Sequence, residues 1–463
     1  MLGVIGILVS LGLLMYLAYR GINVLVLAPI MALLAVLIGG EAHLLLPTYT
    51  QVFMKELGNY LIRFFPLFML GAIFGKLMDD SGSARTIAHW IVTHVGKERA
   101  ILAIVLSCGI LTYGGVSLFV VAFAVYPIGA ALLREVGMPK RFLPGAIALG
   151  SFTFTMTAFP GTPAIQNAIP APFFGTNTFA APGLGVIGGL IMMIGGIVWL
   201  HARAQRAMTV GESYGEHPNE GLDPSKDVEH GPSILIALLP ILLVIGFNAL
   251  FTYAVFPNID ASYLAEPRFG ATQLSAVAGL WSIIVALVIA ILFILVVHWQ
   301  RWKNVIESIN AGTMGSLLPI FNTASEVGYG NVIATLPAFV LVKNAVLGIS
   351  ENPLISEAVA VNVLAGITGS ASGGMSIALS TLGAQYLELA NNLGISPELL
   401  HRVAAMSSGG LDALPHNGAV ITLLAICRLT HRQSYFDIFM VAVVVPLIAL
   451  AAVITLGTLF GSF

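Results

Sequence analysis

Three ionisable side chains lie in otherwise apolar stretches of the sequence: Glu326, Asp412 and His416. A charged side chain at the middle of a bilayer costs about 2.5–3.5 kcal/mol on insertion scales, so such residues usually have a function. A carboxyl or imidazole group can bind and release a proton. All three are therefore candidates for carrying a proton, with Asp412 and His416 as first choices. The alternatives are a packing role for Glu326 and a capping role for Asp412.

A second set of residues offers hydrogen-bond donors to an anion. It comprises the hydroxyl and amide side chains and the paired glycines of four short segments: Thr112, Gly114, Gly115, Ser117, Thr162, Asn167, Ser370, Ser372, Gly373, Gly374, Ser376, His416 and Asn417. We find no Lys or Arg within these segments, so a bound anion must rely on amides and hydroxyls. Such a site favours a small monoanion over a dianion or trianion. The alternative is that small polar residues only help helices pack.

The glycine pairs lie in two long stretches without Asp, Glu, Lys or Arg, one of about 34 residues (100–133) and one of about 30 (358–387). A single membrane span needs about 17–25 residues, so each stretch is too long for one span and too short for two. We therefore predict two re-entrant hairpins, at about 100–134 and 353–391, that turn at the glycines. Non-helical backbone at that depth is tolerated only beside protein or a watery cavity.

Two further apolar segments, at about 142–175 and 402–427, are interrupted by proline and glycine at Phe159–Pro163 and Leu414–Gly418. Proline removes a backbone donor and glycine permits unwound geometry. Four broken elements that meet near the midplane would present half-helix N-termini, whose free amides and partial positive charge suit a carboxylate.

The composition indicates an all-α polytopic membrane protein. Of the 463 residues, 57% are hydrophobic and 9% charged, whereas soluble proteins carry about 25% charged residues. The net charge of −2 gives no reason to expect a nucleic-acid partner. The motif Gly183-Leu-Gly-Val-Ile-Gly188 opens an apolar span without a preceding strand, so we expect no dinucleotide and no other cofactor or metal.

The two halves of the chain repeat. The Pro66 and Pro319 segments, the two glycine pairs, and Pro160 and Pro415 recur at a separation of roughly 255 residues. We predict a first repeat at 1–200, a cytoplasmic polar linker at 201–231 and a second repeat at 232–463. Each repeat has about five transmembrane helices plus one hairpin, so the repeats must have inverted topology, as in many secondary transporters.

The Lys and Arg residues predict the orientation. On this topology fifteen of them face one side, which we take as cytoplasmic, and both termini then lie outside. The other side carries Lys55, Arg63, Arg268, Lys343 and Arg402.

The stretch from Ser407 to Leu424, Ser-Ser-Gly-Gly-Leu-Asp-Ala-Leu-Pro-His-Asn-Gly-Ala-Val-Ile-Thr-Leu-Leu, resembles the C-terminal signature of gluconate:proton symporters (the GntP type). It is most similar to the branch assigned to 3-hydroxybutyrate, because sugar-acid permeases usually carry His-Val-Asn-Asp where this chain has Leu414-Pro-His-Asn417. The resemblance extends over most of the chain.

The resemblance places the chain in the ion transporter superfamily. It implies a homodimer with paired hairpins, broken helices and an elevator motion. Relatives that carry Ser-Asn-Thr at their hairpin tips bind sodium, whereas the tips here read Tyr-Gly-Gly-Val-Ser and Ser-Ala-Ser-Gly-Gly, which favours proton coupling.

The sequence therefore predicts a proton-coupled symporter of a small hydroxy-monocarboxylate, 3-hydroxybutyrate, in a cytoplasmic (inner) membrane. A gluconate or other sugar-acid symporter is the alternative within transport. A cation/proton antiporter would use adjacent acidic residues, but Asp79-Asp80 falls at a span end. An intramembrane hydrolase would use a nucleophile and base such as Ser407 or Ser408 with His416.

Overall fold

The computed structural model describes residues 2–217, 231–302 and 304–463, and within these ranges the chain is helical without a strand. The main helices of the first half are Leu2–Tyr19, Val24–Ile38, Met54–Asp80, Ser83–Val95, Ala100–Tyr113, Leu118–Glu135, Leu143–Phe152 and Pro182–Thr209. Those of the second half are Ile234–Leu250, Leu274–Val297, Val305–Thr335, Phe339–Leu347, Pro353–Thr368, Ala371–Asn392, Pro397–Ser408, Gly418–Cys427, His431–Phe439 and Val445–Phe460.

Short helical turns connect or extend these helices. They are Ala42–Leu44, Leu45–Pro47, Lys97–Arg99, Lys140–Phe142, Phe154–Thr157, Ile165–Ala168, Ala171–Phe174, Phe256–Asn258, Ser262–Ala265 and Pro267–Phe269, with π-helical turns at Thr48–Phe53, Phe251–Val255 and Met440–Val444.

The helices confirm a multi-pass membrane protein. In the described ranges, six helices are long and apolar enough to cross a bilayer, or seven if Val305–Thr335 and Phe339–Leu347 form one bent span. Five of these six helices and the bent pair coincide with spans among the ten of our sequence prediction, whereas Leu118–Glu135 belongs to the first predicted hairpin. The remaining predicted spans correspond to helices too short to pass this test alone, such as Val24–Ile38, or to helices broken in the middle. The full number of crossings stays a prediction.

The centre of the fold is built from both halves. Helices Met54–Asp80 and Val305–Thr335 pack along each other, and a Cβ at Gly312 would lie only 2.8 Å from the Ile73 Cα. We call Met54–Asp80 and Val305–Thr335 the central helices of the first and second half. Val24–Ile38 of the first half packs against the central helix Val305–Thr335, and Leu274–Val297 of the second half packs against the central helix Met54–Asp80. This reciprocal exchange of partners is compatible with a two-fold repeat. The opposite orientation of the repeats stays a prediction.

Both predicted hairpin segments form helix pairs. In the first pair, Ala100–Tyr113 and Leu118–Glu135 are joined by a turn at residues 114–117, where we expect it. In the second pair, Pro353–Thr368 ends at Gly369, whose φ of +64° is left-handed, and Ala371–Asn392 begins after Ser370.

The predicted turn at Gly373-Gly374 is therefore wrong. Both glycines lie inside the second helix of the pair, in its first turn. A Cβ at Gly374 would overlap the Ala365 backbone of the preceding helix. Gly374 is needed for close helix packing, while Gly369 makes the turn.

The sequence did not predict helix Phe339–Leu347, which follows the central helix at an angle of 101°. Leu336 ends the central helix in an extended conformation and precedes Pro337. A residue before proline is disfavoured in the helical region, which accounts for the bend.

The start of the predicted linker is tied to the helical body. Arg141 donates from Nε to Glu212 Oε1 at 2.6 Å and from Nη2 to Oε2 at 2.9 Å. These hydrogen bonds lower the pKa of the Glu212 carboxyl. Buried Asp437 lies 3.5 Å from Arg141 and 3.3 Å from Arg203. Residues 218–230 of the linker, with Glu220, Asp223, Lys226, Asp227 and Glu229, lie outside the described residues.

Candidate functional site

The turn of the first helix pair contacts the break in the first broken helix. Gly115 has a φ of +94°, and a Cβ there would lie 2.8 Å from Pro163 Cγ. The Tyr113 hydroxyl donates to the Pro160 carbonyl at 2.7 Å. The first turn and the first break therefore form one unit.

The other predicted residues of this turn are close to it. Gly114 faces Ile241, which a Cβ would approach to 2.6 Å. The buried Thr112 hydroxyl has no hydrogen-bond partner among the described residues. Half-buried Ser117 precedes helix Leu118–Glu135 and makes no side-chain capping bond, so it leaves the amides of the first helical turn uncapped.

The first break is longer than predicted. After Phe154–Thr157 the chain continues through Ile165–Ala168 and Ala171–Phe174, each only four residues long. Prolines at 163, 170 and 172 interrupt helical hydrogen bonding at short intervals. Three long helices, not four, therefore begin at the site: Leu118–Glu135, Ala371–Asn392 and Gly418–Cys427.

Asn167 and Thr162 hold the first break together. Asn167 Nδ2 donates to the carbonyls of Thr162 at 3.1 Å and Thr178 at 2.9 Å. Thr162 Oγ1 accepts from the Ala164 amide at 3.3 Å. Thr162 and Asn167 are both fully buried. Both amide hydrogens of Asn167 are engaged within the protein, which makes it a support for the loop.

The turn of the second helix pair contacts the second break, between Pro397–Ser408 and Gly418–Cys427. Asn417 Nδ2 donates to the Gly369 carbonyl at 2.8 Å. Asn417 Oδ1 accepts from the amides of Ala419 at 2.6 Å and Val420 at 3.2 Å, so this side chain caps the second half-helix. The His416 ring lies beside Gly369, and its Nε2 atom would be 3.2 Å from a Cβ there.

Asp412 lies in the second break, before the capped half-helix. Its buried Oδ1 atom has no hydrogen-bond partner within the described part of the chain, and the same holds for His416 Nε2. Because Asn417 caps helix Gly418–Cys427, capping of that helix does not explain Asp412.

Glu326, 2% exposed on the central helix, faces the second helix pair. A Cβ at Gly373 would overlap the Glu326 carboxylate and lie 2.9 Å from Ser370 Oγ. Ser370 Oγ accepts from the Gly373 amide at 3.0 Å. Only glycine at 373 thus leaves room for the carboxylate beside this helix start.

Further hydroxyl groups surround Glu326. Ser372 Oγ lies 3.3 Å from Thr323 Oγ1. The Tyr60 hydroxyl lies near Ser376 and within electrostatic range of Glu326. In residues 2–217, 231–302 and 304–463, Glu326 Oε2 is buried without a hydrogen-bond partner. The arrangement is a polar cluster with unused hydrogen-bonding capacity.

The two turn-and-break units are joined. Helix Pro397–Ser408 packs on Phe154–Thr157 and Ile165–Ala168 of the first break. Helix Gly418–Cys427 packs on Leu118–Glu135, and Ile165–Ala168 contacts Ala371–Asn392. The predicted elements are therefore brought into one region of the fold.

Arg402 is the largest correction to the sequence prediction. We assigned it to the outer side of the membrane and found no Lys or Arg within the four segments, yet its side chain is fully buried against the first break. Its guanidinium donates to the Asn167 side chain at 3.0 Å and to the Ala180 carbonyl at 2.7 Å.

Sequence reasoning also missed Asn248 and Tyr60, for which no signal stands out in their helices. Asn248 Nδ2 donates to the Gly161 carbonyl at 3.2 Å and to Thr178 Oγ1 at 3.0 Å. The structure buries Asn248 in the apolar helix Ile234–Leu250.

Comparison with known proteins gives relatives of one kind. The chain is 45% identical over 467 residues to "Uncharacterized transporter YxjC" of Bacillus subtilis (strain 168), covering 98% of both chains. It is 25% identical over 222 residues to "High-affinity gluconate transporter" of Escherichia coli (strain K12), covering 45% of each. No family model matches the chain.

A solved structure shares the fold. The Alcanivorax borkumensis YdaH transporter matches with a TM-score of 0.59 at 15% identity, covering 88% of each chain. At this identity the match describes the fold alone.

Proposed function

The chain belongs to a transporter family of the GntP type, and we propose that it carries a small hydroxy-monocarboxylate, 3-hydroxybutyrate, into the cell together with a proton. It is a multi-pass membrane protein and a transporter, not an enzyme. The substrate, the coupling ion and the transport cycle are the proposal.

The observation that carries the proposal is the meeting of two helix-pair turns with two breaks, where three long helices begin. Helix N-termini expose backbone amides and partial positive charge, which stabilise a carboxylate. The hydroxyls of Ser117, Ser372 and Ser376 lie on the same elements and offer partners to the carboxylate and hydroxyl of a short hydroxy acid. Ser370 and Asn417 cap two of the helices in this structure.

Proton coupling is supported by two carboxyl groups at the site, buried Glu326 and half-buried Asp412. Each has a buried oxygen without a hydrogen-bond partner, and neither forms an ion pair with a described Lys, Arg or His. An ionised carboxylate repels an incoming anion, whereas a protonated one does not. Anion affinity is thereby linked to proton occupancy.

For the transport cycle we propose inverted repeats, a homodimer and an elevator motion in the inner membrane, with both termini outside. The superfamily resemblance and the reciprocal helix contacts between the halves support this plan. Gluconate is the second candidate substrate, favoured by the Escherichia coli relative over part of the chain. The Leu414-Pro-His-Asn417 sequence favours the shorter acid.

The test is uptake of labelled 3-hydroxybutyrate and gluconate into proteoliposomes containing the purified protein. A proton gradient that is acidic outside the proteoliposomes should drive accumulation of 3-hydroxybutyrate. An ionophore that collapses this gradient should abolish the accumulation. Protein-free liposomes are the control. Accumulation that follows a sodium gradient at constant pH would refute proton coupling, and uptake of gluconate alone would refute the substrate.

A further inference from the structure

We propose that Arg402 is a positioning residue that holds the first break in the unwound form required for carboxylate binding. This inference rests on the proposed function. Arg402 belongs to the second half of the chain, on helix Pro397–Ser408, and the backbone that it holds belongs to the first half.

All five guanidinium hydrogens of Arg402 are used. Nε donates to the Ala180 carbonyl at 3.0 Å, Nη1 to the Thr157 carbonyl at 3.3 Å and Asn167 Oδ1 at 3.0 Å, and Nη2 to the carbonyls of Thr178 at 3.3 Å and Ala180 at 2.7 Å. Arginine has five such donors and no acceptor. A substrate carboxylate could bind this group only by displacing existing bonds, so we assign it a supporting role.

The carbonyls that Arg402 binds flank the first break: Thr157 lies at its start, and Thr178 and Ala180 lie in the non-helical segment before helix Pro182–Thr209. Backbone groups inside a membrane protein must find partners, since lipid offers none. The carbonyls of Thr157 and Ala180 obtain theirs from the guanidinium, and the Thr178 carbonyl accepts from it in addition to Asn167 Nδ2 and the Gly161 amide. Asn167, held by Arg402, in turn donates to the Thr162 carbonyl at 3.1 Å. A chain of contacts thus runs from the guanidinium to the residues next to the first turn.

A second observation comes from the glycine-rich motif at 183–188. A Cβ at Gly185 would lie 3.1 Å from Arg402 Nε and would overlap the Ala158 carbonyl with a separation of 2.5 Å. Helix Pro182–Thr209 therefore approaches the guanidinium closely only because residue 185 is glycine. The glycine-rich motif therefore serves close helix packing. Its position in an apolar helix already favours this role over dinucleotide binding.

The experiment compares the substrate KM and kcat of Arg402→Gln, Arg402→Lys and Asn167→Ala in proteoliposomes with equal amounts of monodisperse protein. We expect Arg402→Gln and Asn167→Ala to raise KM on the order of ten- to a hundred-fold. Arg402→Lys should raise KM less than Arg402→Gln but should not reach the wild-type value, because one ammonium nitrogen replaces the three nitrogens of the guanidinium. The control is Arg268→Gln, which removes an exposed arginine paired with Glu266.

The double variant of Arg402 and Asn167 should raise KM no further than Arg402→Gln alone, since the two residues act through one network. An unchanged KM in either single variant, or additive effects in the double variant, would overturn the proposal. If Arg402→Gln does not fold, the KM of Asn167→Ala alone tests the proposal, and an unchanged KM would overturn it.

A substrate-independent measurement separates this inference from the proposed function. In a Cys108/Cys427-free background, a cysteine at buried Thr162 should react slowly with a small thiol reagent, and at least ten-fold faster when Arg402→Gln is added. Equal rates would overturn the positioning role. A protein that transports neither acid but shows the faster reaction would refute only the proposed substrates.

Discussion

At the scale of single residues, the question is which carboxyl group carries the proton. Asp412 lies inside the second break, where the capping residue is Asn417, and its Oδ1 atom is left unpaired among the described residues. Glu326 lies on the unbroken central helix and faces Gly373. Because Asp412 lies in one of the proposed binding elements itself, it is our first choice, and Glu326 is its competitor.

We expect Asp412→Asn to abolish uphill uptake driven by a pH gradient while retaining substrate exchange, because the amide keeps the shape and hydrogen-bonding capacity but does not titrate. Glu326→Gln and His416→Gln test the competing carriers in the same assay. Asp260→Asn, in an exposed loop, is the matched control. Continued accumulation by Asp412→Asn would refute Asp412 as the proton carrier, and the Glu326 and His416 variants would then decide between the two competitors.

Some residues of the site could not be predicted from the sequence. Arg402 lies near the start of a predicted span, and an arginine there is usually taken to face water. Its burial depends on acceptors more than 200 positions away, the carbonyls of Thr157, Thr178 and Ala180, which only the tertiary fold brings near. The roles of Asn248 and Tyr60 could not be predicted for the same reason.

At the scale of elements, the hairpin segments were predictable because an uncharged stretch of intermediate length has few solutions in a bilayer. The second turn was misplaced because glycine serves two purposes. Gly369 adopts a left-handed conformation and Gly374 permits close packing, and the sequence does not distinguish these roles. Helix Phe339–Leu347 was missed because its nine residues are too few for a span signal.

The predicted re-entrant topology of the two helix pairs leads to a labelling experiment. Cysteines at Ser117 and Ser372, both half-buried beside the turns, should react with small polar thiol reagents in a Cys108/Cys427-free background. We expect this because turns at membrane depth must line a wet cavity. Cysteines at Val105 and Leu379, buried on the same helix pairs, should react much more slowly. Equal protection of all four would indicate dry spans.

At the scale of the whole molecule, orientation depends on the sum of many weak preferences. The predicted cytoplasmic side carries fifteen Lys and Arg residues. Arg402 on the outer side and Lys140 on the cytoplasmic side are both buried, and without them fourteen residues face four, so the bias keeps its sign. Short loops rich in Lys and Arg stay in the cytoplasm during insertion. Arg141 and Arg203, which hold Asp437, lie at this end together with the start of the linker.

Two exposed serines, Ser213 at the start of the linker and Ser262 in the loop before Leu274–Val297, flank one predicted span and test this orientation. Serine and cysteine are close in size, so each cysteine variant should fold normally. In intact cells a membrane-impermeant thiol reagent should label a cysteine at Ser262 and leave one at Ser213 unlabelled. After the membrane is permeabilised, both should react, which serves as the control for reactivity. The reverse pattern would place the linker outside. The first turn would then open to the exterior and the second to the cytoplasm, so protons and substrate would meet the two breaks in the opposite order.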